Sequence, residues 1–417
     1  MSGTQDLKDL ARKLFDAAVR AADPALALRR KLADTPFPQG PGTTYLIAIG
    51  KAAPAMLQEA LNHVSGPVDA LAVTHHENTM EVPGATILRA GHPVPDAAGA
   101  AAAQEVIARL RKAGAEDRVV ALISGGGSAL VPAPVEGVSL EDKAEVNRLL
   151  LAGGLDITRM NLVRQQLSRL KGGGFLRLAT PAPVTAYILS DVIGDDLRAI
   201  ASGPTVGPIG SLREACTLLQ GEGLWDRQPP SVRQHLETAT PDGPLPEARN
   251  ILIGSNRQSL AAMHAAAQAE GWQAHIANDH LVGDVGDAAR AIVRDIGAVT
   301  TPTALLYGGE TTVTLRGDGR GGRNQELALR VALSAAPLAQ DWVFLSGGTD
   351  GRDGPTDAAG GLVDAGTAAR IGAAGQDAQT LLNNNDSYAA LRAAGDLLMT
   401  QATGTNVADV QVLLIRP

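Results

Sequence analysis

The residues able to do chemistry sit directly behind apolar runs. TYLIAIG ends in Lys51, and VVALI is followed by Ser124, Gly125, Gly126, Gly127 and Ser128. AYILS leads to Asp191, with Asp195 and Asp196 close behind, and ILIGS leads to Asn256. LLYGG runs into Glu310, and FLSGGT into Asp350, Asp353 and Asp357. Consecutive glycines can bare successive amide N–H groups to an anionic oxygen, and Ser124 and Ser128 add hydroxyls. A plain tight turn is the competing reading. Lysine at a helix start works against the helix dipole, so Lys51 is explained if it neutralises phosphate or carboxylate, and otherwise is simply exposed. Arg316, Arg320 and Arg323 cluster in LRGDGRGGRNQELAL. Such a loop suits bidentate binding of an oxyanion, or is a solvated basic loop. Hard carboxylates such as Asp191 and Asp350 suit Mg²⁺, although Asp is also a common turn former.

Several familiar signatures fail. No Lys-Ser/Thr follows the triple glycine, so it is not a Walker A loop, and Ser128 does not satisfy G-x-S-x-G. Gly317, Gly319 and Gly322 spell G-x-G-x-x-G. The strand before them alternates polar and apolar, however, and no acidic residue ends a strand at ribose-binding distance. His75, His76 and His92 form no H-E-x-x-H and read as supporting residues. Asn383 to Asp386 read as a cap for a helix Ser387–Leu398.

Of 417 residues, 45% are hydrophobic, enough for an ordinary core, and the length suits two or three domains. A net charge of −8 and 3% aromatics argue against a general nucleic-acid or anionic-membrane binder. The single cysteine, Cys216, excludes an intrachain disulfide framework. The charged amphipathic N-terminus is not a signal peptide, and no apolar run is long enough to span a membrane, so a cytoplasmic location is expected.

The elements that must position these groups are short apolar strands alternating with helices. Strands are expected at 44–49, 70–73, 85–90, 118–123, 184–189, 250–253, 273–277, 303–307, 311–316, 342–345 and 410–415. Helices are expected at 54–64, 97–113, 255–270 and 285–295. The alternation implies an α/β protein with mostly parallel sheets, whose ligands bind beyond the carboxyl ends of the strands. The Pro/Gly-rich stretch 223–248 reads as a linker. It separates a domain at 1–228 from one at 243–417, with the last strand free to return to the first.

The combination of SGGGSALVPAP, LLLAGGLDITRMNLVRQQLSRLKGGG, ILSDVIGDDLRAIASGPT, GRGGRNQELAL, LSGGTDGRDGPTDAAGG and TGTNVADVQVLLI resembles the glycerate 2-kinase family. The last three resemble its C-terminal MOFRL domain, and AIGKAA and GHPVPD extend the likeness over nearly the whole chain. The resemblance implies a Rossmann-like N-terminal domain with a mostly parallel sheet, a smaller α/β C-terminal domain and an active site in the cleft. It implies ATP-dependent, Mg²⁺-assisted phosphorylation of D-glycerate, with the 2-hydroxyl favoured. Family members have also been labelled hydroxypyruvate reductases. An NAD(P)H-dependent reductase and a non-catalytic nucleotide or sugar-acid binder therefore stand as rivals. By resemblance Lys51 and Arg323 are catalytic or substrate-contacting, and Asp191 is a catalytic acidic position. In the mechanism expected, Ser124 to Ser128 and Asn256 contact the nucleotide. Asp191 and Asp350 serve the metal, and one of them orients or deprotonates the hydroxyl. The partners expected are D-glycerate and ATP, with a second copy of the chain in a homodimer and neither nucleic acid nor membrane.

Overall fold

The computed structural model describes residues 3–240, 243–296, 299–335 and 340–416. Contacts divide the chain into two units, one comprising Ala27–Ser190 and Asp195–Ile253, the other Met1–Leu26, Asp191–Gly194 and Gly254–Pro417. This differs from the division expected between 228 and 243. The first helix, Gly3–Ala21, belongs with the C-terminal segment, and the strand at Ala248–Gly254 is laid on the N-terminal sheet.

The first sheet contains β1 (Thr44–Ile49), β2 (Val68–His75), β3 (Thr86–Ala90), β4 (Arg118–Ile123), β5 (Val184–Leu189) and β6 (Ala248–Gly254). Their order is β3-β2-β1-β4-β5-β6, and the pairs β2–β3, β1–β2, β1–β4 and β4–β5 are parallel. β1, β4 and β5 are buried at every position, as strands covered on both faces must be. This order reverses direction between β1 and β4. The crevice beyond their carboxyl ends is where a doubly wound sheet binds its ligand.

Helices Leu140–Ala152, Ile157–Gln166, Leu212–Gly221 and Pro230–Thr238 form a satellite core of their own, burying Val146, Leu150, Val163, Leu219, Val232 and Leu236. Ser139 with Asp142, and Ser211 with Glu214, close capping boxes that fix two of these helix starts. The stretch 223–248 is therefore not simply a linker. Its prolines start a helix whose apolar side is packed, Pro being tolerated in the first turn.

The second sheet contains β7 (Gln273–Asp284), β8 (Thr303–Thr312), β9 (Asp341–Gly348), β10 (Gly360–Asp364), β11 (Leu397–Leu398) and β12 (Asp409–Arg416), in the order β11-β10-β9-β12-β8-β7. Only β7–β8 is parallel; β12 runs antiparallel to both its neighbours. The sheet is thus mixed rather than mostly parallel, and the last strand lies inside it. β12 sends Val410, Val412 and Leu414 to one face, against Leu7, Leu14, Phe15, Leu260 and Met263. Leu413 and Ile415 go to the other, with Leu327, Val331 and Trp342.

The strand expected at 311–316 does not form, because β8 ends at Thr312. Beyond it, Asn385 Oδ1 accepts from the N–H groups of Arg316 and Gly317, and Asn384 Oδ1 accepts from that of Asp318. These asparagines therefore fasten a loop; the helix Ser387–Ala394 has no side-chain cap. No helix among the described residues is long and apolar enough to cross a membrane.

Candidate functional site

In the first unit the turns after β1 and β4 are stitched together. Lys51 N–H donates to the Gly125 carbonyl at 2.9 Å, Ser124 N–H to that of Ile49 at 2.9 Å, and Ala52 N–H to Ser124 Oγ at 3.1 Å. Gly50 is at φ 132°, where any Cβ would collide with Ser124. Gly126 is at φ 84° and its Cβ position is crowded by the His92 ring and the Lys51 stem, so only glycine fits this turn without strain. Among the described residues, the N–H groups of Gly125, Gly126, Gly127 and Ser128 make no hydrogen bond. Gly125 and Gly127 are buried, and four neighbouring unsatisfied donors here are a standing demand for an acceptor. The Lys51 carbonyl accepts from Thr74 and Asn78, while its ammonium has no carboxylate partner among the described residues. Burial, then the charges of Lys51 and His75, push the His92 pKa down to about 4, so its ring is neutral at physiological pH.

Ser128 faces a second group of cations. Lys171 Nζ donates to Ser128 Oγ at 2.7 Å, Ser128 Oγ lies 2.9 Å from Ser202 Oγ, and Ser202 Oγ donates to Asn161 Oδ1 at 3.2 Å. Ala201, Ser202 and Gly203 all hold left-handed backbone, with Gln165 Nε2 donating to the Ser202 carbonyl at 3.1 Å. Arg164 donates to Asn147, and Lys143 Nζ is buried with no partner. Burial and the charges of Lys143 and Arg164 hold Lys171 well below the usual lysine range. Burial and Arg164 bring Lys143 down to about 8.

In the second unit Arg323 opens the helix Arg323–Ala335 and meets Asp409 at the start of β12. Its Nε donates to Asp409 Oδ2 at 2.5 Å and its Nη2 to Oδ1 at 3.0 Å, while Nη1 lies 2.8 Å from Glu310 Oε1. Asp409 is only 1% exposed, and burial raises its pKa despite the arginine. Burial opposes the charge of Arg323 as well, but the bonds to Asp409 prevail and raise its pKa. Glu310 is raised by burial, opposed by Arg323 and reinforced by Asp409, Asp191 and Asp350. Asp350 Oδ1 accepts from Arg352 N–H at 2.9 Å. Asp353 is buried, accepts the first N–H groups of the Arg323 helix, and is lifted by burial to about 6.

Lys51, Gly125, Gly126, Gly127 and Ser128 therefore meet at the carboxyl ends of β1 and β4, and Arg323, Asp191 and Asp350 gather around Glu310 in the other unit. Two of the expected nucleotide contacts also have structural partners. Ser124 Oγ is taken by Ala52, and Asn256 Nδ2 donates to the carbonyls of Val407 and Asp409 at 2.9 and 2.7 Å. The described residues contain no preassembled group of three or more metal-binding side chains. Sequence reasoning passed over Asp409 inside an apolar strand, and Lys143, Arg164 and Lys171 on ordinary amphipathic helices and turns. The nearest signal was the lysine directly before the second triple glycine, LKGGG.

Known proteins share the sequence and fold of this chain. Residues 10–237 match the family described as "Domain of unknown function (DUF4147)", and residues 303–409 match the MOFRL family. The chain is 37% identical to the glycerate 2-kinase of Pyrococcus horikoshii, covering 98% of each chain. It is 37% identical to the D-glycerate 2-kinase of Thermotoga maritima, covering 100% of each. The crystal structure of glycerate kinase from Thermotoga maritima superposes with a TM-score of 0.92 at 36% identity, over 99% of this chain and 100% of that one.

Proposed function

The chain belongs to the glycerate 2-kinase family, and from that premise we propose that it transfers the γ-phosphoryl group of ATP to the 2-hydroxyl of D-glycerate. The observation that carries this reading is the row of four unpartnered amides at Gly125 to Ser128, beside the uncompensated Lys51, at the reversal point of a doubly wound sheet.

Phosphoryl transfer needs positioning and positive charge more than covalent chemistry from the protein. The amides of Gly125 to Ser128 cradle the phosphate chain, and the β1–β4 stitching holds them rigid before ligand arrives. Lys51 stabilises charge on the transferred group. Arg323, braced by buried Asp409, offers its Nη1 edge to the glycerate carboxylate, which takes the place of the half-exposed Glu310. A Glu310 released in this way, with its pKa raised, accepts the proton of the attacking hydroxyl. The hydroxyl oxygen forms its bond to phosphorus as the bond to ADP breaks.

Asp191 and Asp350 are the residues that would hold Mg²⁺. Mg²⁺ takes one or two protein carboxylates and completes its shell with water and phosphate oxygens, so an open pair fits better than a closed cage. Glu310, raised first by burial, also feels the charges of Asp191 and Asp350, which supports placing both carboxylates about one site. Bound there, the ion would neutralise phosphate oxygens.

The test is purified protein with ATP, Mg²⁺ and D-glycerate, the product read by ³¹P NMR. 2-Phosphoglycerate and ADP in equal amounts are expected. NADH or NADPH oxidation with hydroxypyruvate, and no phosphorylated product, would replace the kinase with a reductase.

A further inference from the structure

Lys143, Arg164 and Lys171 pose a problem that the kinase reading has not used. Beyond burial, the charge of Arg164 lowers the proton affinity of Lys143, and Lys143 and Arg164 together lower that of Lys171; among the described residues none of the three pairs with a carboxylate. The Lys143 ammonium makes no hydrogen bond at all. Burying unpaired charge costs several kcal/mol per ion, so a fold retains such a group when something else requires it. The supporting structure is specific. A satellite core positions the helices carrying Lys143 and Arg164, Asn147 holds Arg164, and Ser128 holds Lys171.

Ser128 connects this cluster to the amide row. Its hydroxyl is bound to Lys171, while its own N–H is the last of the four unpartnered donors. The cluster therefore continues the same surface with cationic side chains whose charge an anion would complete. A carboxylate has one negative charge on two oxygens. Three cations, with most of their N–H donors unspent, match the greater charge and oxygen count of phosphoryl groups.

We propose that Lys143, Arg164 and Lys171 form the site that receives the terminal phosphoryl groups of the nucleotide, the amides of Gly125 to Ser128 leading into it. This rests on the kinase reading for the identity of the nucleotide, not for the existence of a polyphosphate site. The site takes inorganic polyphosphate by the same contacts.

The experiment compares wild type with Lys143→Met by calorimetry, using ATP, inorganic tripolyphosphate, AMP and 2-phosphoglycerate as separate probes. ATP and tripolyphosphate are expected to bind at least tenfold more weakly to the variant, with AMP and 2-phosphoglycerate unchanged. Without ligand the variant is expected to melt higher than wild type, because an unpaired buried charge has become apolar. A residue needed only for structure would not show lower affinity with higher stability. In wild type, binding of tripolyphosphate at pH 8 draws protons from the buffer as the lysines become fully charged. Unchanged tripolyphosphate affinity in Lys143→Met, or a loss confined to 2-phosphoglycerate, overturns the proposal. If Lys143→Met does not fold, Arg164→Gln carries the same arms. Tripolyphosphate binding that depends on Lys143, in a protein that phosphorylates no glycerate, would leave this site standing and remove the kinase reading.

Discussion

The backbone N–H of Lys51 donates to the carbonyl of Gly125 at 2.9 Å, tying the end of one central strand to the end of its neighbour. A cationic side chain and a row of bare amides are thereby fixed in one frame through the backbone. Replacing the Lys51 side chain leaves that bond in place. Lys51→Ala is expected to retain the wild-type melting profile and to lose about 100-fold or more in kcat/KM, the scale for removing one preorganised stabiliser of transition-state charge. Steady-state kinetics beside a thermal melt check both halves, and near-normal turnover removes Lys51 from the mechanism.

Gly126→Ala tests the loop rather than the lysine. A Cβ at φ 84° crowds the His92 ring and the Lys51 stem. Left-handed backbone alone costs about 1–2 kcal/mol for an L-residue. Weaker ATP binding and a lower Tm are expected together. Unchanged ATP affinity would mean that the loop does not touch phosphate.

These two positions show what could be read before the fold was known. The triple glycine and Lys51 stood out because their costs are local: glycine entropy, and lysine at a helix start. β1, β4 and β5 appear at the expected residues because full burial writes a continuous apolar run. Arg323 also stood out, but its partner Asp409 did not, since one aspartate in DVQVLLIR looks like a strand end. Long-range pairing of this kind leaves no periodic trace. The same holds for Lys143, whose isolation is a property of what fails to surround it. The division by contacts differs from the expected boundary for a similar reason. Proline-rich composition marks local backbone preference, whereas membership of a unit depends on which distant faces bury one another.

Arg323 and Asp409 change how an arginine deletion should be interpreted. Arg323→Ala would strip a buried carboxylate of its partner, a change that typically costs about 3–5 kcal/mol. It is therefore expected to lower stability as well as turnover. Arg323→Lys keeps a cation but loses the bidentate geometry. It should raise KM for D-glycerate with a smaller loss of stability. Denaturant titration with KM measurements separates the two, and an unchanged KM in Arg323→Lys would release Arg323 from the substrate.

Glu310→Gln should lower kcat by about 100-fold and flatten the acid limb of the kcat profile, the range for loss of a positioned general base. KM for D-glycerate should hold or fall, since the competing carboxylate charge on Arg323 is gone. A retained acid limb assigns the proton to another group.

His92 gives a pH dependence of defined sign. Its folded pKa, near 4, is below the ordinary value of 6.5, so the unfolded chain binds more protons between those limits. Stability from the neutral ring is complete above pH 6.5 and is lost as pH falls toward 4. His92→Gln should reduce the decline between pH 7 and 4.5 in urea titrations. The His92 ring signal in NMR should stay that of neutral imidazole from pH 5 to 8; titration near 6.5 would place the ring in solvent.

The helix Gly3–Ala21 forms its core with β9 and β12, and Lys8 reaches Asp396, 388 residues further along the chain. At about 5–20 residues per second, a ribosome needs roughly 20–80 s to make the distance between them. This helix thus keeps its greasy side uncovered until partners made far later in the chain, Leu260 and Met263 first among them, arrive. Chaperone demand during translation should fall on this opening segment, and a fast-folding fusion placed ahead of it would not shorten the wait.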